Sequence, residues 1–122
     1  MAFHRLSTMR DQPLSYTFVP GRSEGTMILN LDGPLTLSNM FALQDELRTI
    51  KPQALVVDLS GSPYMDSAGL GLIMNYYVSA ENNGRKLLLA GTSERIQALL
   101  EMTKVDGVLK SFRTMDEAEA SL

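Results

Sequence analysis

The chain has 122 residues, 44% of them apolar, which suits one globular domain with a core of its own. There is no cysteine and a single histidine, His4, which excludes disulfide frameworks, thiolate catalysis and Cys-ligated zinc and leaves nothing for a Ser-His-Asp triad or a histidine-rich metal site. The net charge of −3 comes without a basic block, so no nucleic-acid partner is expected, and the apolar runs are too short for a membrane span.

Residues 1–13 (MAFHRLSTMRDQP) mix charge, polar groups and a proline without a period. They read as an N-terminal arm and lack the apolar stretch of a secretory signal, so a soluble, cytoplasmic protein is the expectation. The domain proper is expected over 14–122. Leu14–Val19 alternates and is rich in β-formers. Pro20 to Gly25 is a turn segment, and Thr26–Leu31 returns, which predicts a hairpin. Gly33-Pro34 breaks the second strand. From Leu37 onward, Met40, Leu43, Leu47 and Ile50 recur at helical spacing, with Thr36 or Ser38 placed to cap the start and Pro52 ending the helix.

Leu55-Val56-Val57-Asp58-Leu59 is a short apolar run between punctuators, as in a strand covered on both faces. A loop at Ser60 to Pro63 leads into a long helical pattern with Leu70, Ile73, Met74 and Tyr77 on one face, stopped at Asn82-Asn83-Gly84. Lys86–Ala90 reads as another buried strand. Thr92 or Ser93 caps the next helix, which carries Ile96, Leu99 and Leu100. Val108–Phe112 reads as a last short strand, and Met115–Leu122 as a terminal helix with acidic residues at its positive end. The order predicts an α/β fold: one mixed sheet, an N-terminal hairpin plus parallel strands, packed with about four helices.

The segment that departs from ordinary core is Tyr64-Met65-Asp66-Ser67-Ala68-Gly69-Leu70-Gly71, between a buried strand and a helix. Ser67 stands where an N-cap is expected. Ala68, Gly69 and Gly71 strip the first turn of bulk, although each glycine costs up to roughly 1 kcal/mol relative to alanine in a helix. Close approach of another backbone, from the same sheet or from a partner, offsets such a cost. A capping serine with tight helix–sheet packing accounts for the pattern. A phosphate-binding turn lacks both G-x-G-x-x-G and a terminal Gly-Lys-Ser/Thr, and a nucleophile elbow lacks its first glycine, since Met65 stands there.

Asp66-Ser67-Ala68-Gly69-Leu70-Gly71 after a Leu-Val-Val-Asp-Leu strand resembles the STAS domain of bacterial anti-sigma factor antagonists. Gly33-Pro34-Leu35, Asn83-Gly84 before a Leu-rich strand, and Glu101-Met102-Thr103 then Val105 extend the resemblance over roughly 14–120. It implies a non-enzymatic switch without cofactor or metal. The family's serine, matched by Ser67, is phosphorylated by an anti-sigma factor that is also a serine kinase. The unphosphorylated form binds that kinase, the phosphorylated form lets go, and a phosphatase restores it. Thr36 stands where the family often has Asp, which bears on any partner contact made there. The resemblance also admits a scaffold in a stress-sensing complex or a soluble subunit of a lipid-transport complex.

Physical reasoning adds candidate partner contacts. Ala68 and Gly69 allow close approach beside Ser67. Leu72 and Tyr76 share a stripe with Gly69, which makes either a docking patch or a side covered by neighbouring helices. Asp66 is placed to meet a kinase side chain or to hydrogen-bond within its own loop. The partner-binding set is therefore Asp66, Ser67, Ala68, Gly69, Leu72 and Tyr76. Asp58 is expected to face a loop or cap, and Asp116, Glu117 and Glu119 to form a charged helix face.

Overall fold

The N-terminal hairpin is present as strands β1 (Ser15–Pro20) and β2 (Thr26–Asp32), paired antiparallel in the computed structural model, which describes residues 13–122. The arm expected over 1–13 lies, except for Pro13, outside the described residues, as does His4. Strands β3 (Ala54–Gly61), β4 (Lys86–Ala90) and β5 (Ser111–Phe112) follow in parallel, giving the sheet order β1-β2-β3-β4-β5. The helices are α1 (Phe41–Leu47), α2 (Ser67–Asn82), α3 (Glu94–Met102) and α4 (Met115–Ala120).

The apolar run of β3 is buried on both faces, as a central parallel strand requires. On one face Leu55, Val57 and Leu59 join Leu29, Leu31, Leu87 and Leu89 under α1, α2 and α3. On the other, Val56, Leu88 and Ala90 meet Ala118 of α4, with Phe112 and Met115 beside them. The acidic face of α4 does more than face solvent: the Arg22 backbone N–H donates to Glu119 Oε2 at 2.7 Å, and the Arg22 guanidinium pairs with Asp116 and Glu119. This ties the hairpin turn to the last helix.

Two local expectations fail. The first helix does not start near Leu37 under a Thr36 or Ser38 cap; it starts at Phe41, with Met40 as N-cap and no side-chain cap bond. The polar side chains that would cap it build a loop instead. Asn39 accepts from Thr36 N at 2.9 Å and donates to Pro34 O at 2.8 Å, while the Thr36 and Ser38 hydroxyls bond to each other at 3.0 Å. Such local bonds compete with helix for the backbone. The last strand is also shorter than expected, two residues only. Elsewhere Gly84 adopts φ 72° after α2, and Ser93 is the cap of α3, accepting from Ile96 N at 3.1 Å. Asp58 holds Ser60, accepting from its N–H at 3.0 Å and its hydroxyl at 2.7 Å.

Two tyrosines tie helix to sheet or helix to loop, and both hold their protons more tightly than usual. The Tyr16 hydroxyl donates to Glu46 Oε1 at 2.8 Å, and that bond, then burial, then the negative charge of Glu46 and Asp45 raise its pKa. Burial raises that of Tyr76, against the opposing hydrogen bond and charge of Arg85. A phenol with a raised folded-state pKa contributes stability that is complete below the unfolded value and is lost as pH rises through the folded one. Urea stability should therefore decline above about pH 10, and less steeply in Tyr76→Phe. Parallel slopes for variant and parent would show that Tyr76 is not responsible.

Candidate functional site

The C-terminal ends of β2 and β3 are joined beyond the regular sheet. Leu35 and Met65 form an isolated parallel bridge, Leu35 N donates to Tyr64 O, and Asp66 N donates to Leu35 O, both at 3.2 Å. The β2–α1 and β3–α2 connections are thus zipped together where open α/β sheets commonly place their sites. The start of α3 locks the second loop, because Ser93 Oγ donates to Pro63 O at 2.9 Å and the Arg95 guanidinium lies 4.4 Å over the Tyr64 ring.

Asp66, not Ser67, is the N-cap of α2. Its backbone is extended (φ −95°, ψ −177°), its Oδ1 accepts from Gly69 N at 2.9 Å, and its Oδ2 accepts from Leu37 N at 3.0 Å. One carboxylate therefore caps the helix and tethers the neighbouring loop, a geometry a serine hydroxyl cannot reproduce. The expectation that Ser67 caps is wrong by one residue. The shift makes Ser67 the first residue of α2 and leaves it exposed; among the described residues its hydroxyl has no hydrogen-bond partner.

The rest of the expected contact set divides. Ala68 is half-buried against the core. Gly69 is buried, and a Cβ there would lie 2.4 Å from Leu35 O, so the close approach it permits is made by the chain's own backbone rather than by a partner. Leu72 and Tyr76 are 5% and 8% exposed, so of the two readings of their stripe the covered side holds and the docking patch does not. Both join the core, and the Tyr76 hydroxyl donates to Ile50 O at 3.4 Å, beyond the end of α1.

The apolar surface at this end is instead Leu37 and Phe41, 55% and 56% exposed, on the loop and helix start that Asp66 tethers. Helical periodicity had placed Leu37 on a buried stripe. The usable signal was its setting, Thr36-Leu37-Ser38-Asn39, a leucine among three side chains that favour turns. Among the described residues no group of three or more His, Asp or Glu is placed to hold a metal ion, and no helix is long and apolar enough to cross a membrane.

The double duty of Asp66 can be separated by substitution. Asp66→Ala removes both bonds and should cost about 2–3 kcal/mol, from a lost cap and a second bond to a charged acceptor. Asp66→Asn keeps an acceptor for Gly69 N but turns an amide donor toward the Leu37 N–H, and should cost about half as much. Urea denaturation distinguishes them; an Asp66→Asn variant as stable as the parent would mean that the Leu37 tether contributes nothing.

Comparison with known proteins places this geometry in a family. A model of the STAS domain matches residues 19–118. An anti-sigma-B factor antagonist of Staphylococcus aureus is 39% identical over 49 residues, 40% of this chain and 45% of that protein, so the match spans less than half of the relative's length. The crystal structure of a candidate anti-sigma factor antagonist from Thermotoga maritima superposes with a TM-score of 0.78 at 23% identity, covering 87% of this chain and 92% of the other. The Bacillus cell fate determinant SpoIIAA in its phosphorylated form superposes at 0.70 with 15% identity, covering 88% and 98%. A family model matched over most of the chain, on a mixed five-stranded sheet of the same fold, makes this protein a member of the STAS domain family.

Proposed function

We propose that the protein is a cytoplasmic, non-enzymatic anti-sigma factor antagonist whose binding to a serine-kinase anti-sigma factor is switched by phosphorylation of Ser67 and reset by a phosphatase. The observation that carries the reading is the position of Ser67: exposed, first in α2, with a hydroxyl unengaged among the described residues, on a ledge fixed by Asp66 and Leu35. A kinase reaches that oxygen without unfolding anything. Relatives named as antagonists and a fold neighbour known in a phosphorylated form support the same reading. The docking surface it requires is the edge formed by Asp66, Ser67 and Ala68 with Leu37 and Phe41.

The physics separates the fold from the interface. A phosphoserine carries about −1.5 to −2 charges. At a helix start that charge meets the positive end of the macrodipole and the N–H groups of the first turn, which have no intrahelical acceptor. Asp66 opposes it by about 1 kcal/mol through solvent. The domain therefore stays folded. At a closed interface the same group must be desolvated and accommodated, and a net penalty of about 3 kcal/mol already weakens binding on the order of a hundredfold.

The test is incubation with the cognate kinase and ATP, followed by peptide mass analysis. A single phosphate on Ser67, absent from Ser67→Ala, is the expected result. Modification elsewhere with Ser67 untouched, or capture of transporter subunits in place of a kinase, would overturn the reading.

A further inference from the structure

Away from the Ser67 ledge, a groove of about 320 Å³ opens between the end of α1 and the second half of α2. Its charged lining is Arg48, Lys51 and Arg85, with Tyr76, Asn75 and Ser79 adding polar groups, and among the described residues no carboxylate lines it. Among the described residues the acid within ion-pair distance of these cations is Asp45, 3.9 Å from Arg48 in a pair whose side chains are 78% and 71% exposed, so little of the positive charge is cancelled. Three cations thus converge on one concavity in a chain whose net charge is −3. Clustering like charges opposes folding, and a bound anion relieves it.

One of the cations is held in place. Arg85 is half-buried, its Nη1 donates to the Tyr76 hydroxyl at 3.3 Å, and its guanidinium carbon lies 5.7 Å from the centre of the Tyr76 ring. Tyr76 is itself fixed in the core and bonded to Ile50 O. A fixed guanidinium loses little freedom when it binds, and its planar fork suits two oxygens of a carboxylate or a phosphoryl group. Lys51 and Arg48 line the same groove as exposed charges that can close on the same ligand. The volume lies at the lower end of the range for small-molecule sites and is too small for a folded segment of another protein.

We propose that this groove is a binding site for a small, multiply charged oxyanion, a phosphorylated or polycarboxylate metabolite, gripped between Arg85 and the Arg48–Lys51 pair. The site is independent of the switch at Ser67. Titration calorimetry of the full chain with pyrophosphate, with citrate, and with sodium chloride at matched ionic strength tests it. One saturable site is expected for pyrophosphate, citrate or both, and not for chloride; which of the two binds more tightly tells phosphoryl from carboxylate recognition. The double variant Arg48→Gln, Lys51→Gln, at two exposed positions, should bind about tenfold more weakly. No saturable binding of either anion up to about 10 mM, or equal affinity in the double variant, overturns the proposal.

Discussion

Gly69→Ala is expected to destabilise the domain by about 2–3 kcal/mol and to lower its Tm by roughly 10 °C. The added Cβ would sit 2.4 Å from Leu35 O and 3.0 Å from Leu35 Cγ. The carbonyl cannot simply retreat, because it accepts from Asp66 N while Leu35 N donates to Tyr64 O. Relief means prying α2 from the β2–α1 loop and weakening the Asp66 bonds to Gly69 and Leu37 together. Gly71, two residues on, is the matched control: a Cβ there meets nothing within 4 Å. Gly71→Ala should stabilise by about 0.5–1 kcal/mol through helix propensity. Thermal melts of both variants decide the matter, and a neutral Gly69→Ala would show that the contact is not close.

Ser67→Asp should bind the cognate anti-sigma factor about a hundredfold more weakly than the parent, while Ser67→Ala binds within about threefold of it. An aspartate brings one charge to the position that a phosphate would occupy. It also sits favourably at a helix start, by about 0.3–1 kcal/mol, so its Tm should equal or slightly exceed the parent's. A loss of binding without a loss of stability places the effect at the interface. A fall in Tm alongside the loss, or equal binding by both variants, would defeat the interface account.

The sheet was legible because its strands carry their environment in their composition. Val56 and Val57 of β3 point to opposite faces, each meeting a different helical layer, and only an apolar run satisfies both. The phosphoacceptor candidate was legible as a motif, but its local role was not. Asp and Ser are both strong caps, and adjacent ones differ by a single step of backbone conformation that composition does not set. The stripe of Leu72 and Tyr76 stayed open between two readings for another reason. With Leu70, Ile73 and Ala80 they form an arc on α2 wider than one stripe. Whether the extra side is bare or covered depends on where α1 lies, and the sequence of α2 is silent on that. Leu37 was hidden by the reverse error, a helical spacing that runs through a loop closed by Asn39.

An aspartate has neither the full charge nor the bulk of a phosphate, so the decisive comparison uses one preparation of the protein, before and after stoichiometric phosphorylation by the kinase. Its affinity for the anti-sigma factor should drop by at least about a hundredfold on modification and return when a phosphatase removes the group. Undiminished affinity of the fully phosphorylated protein would contradict the account.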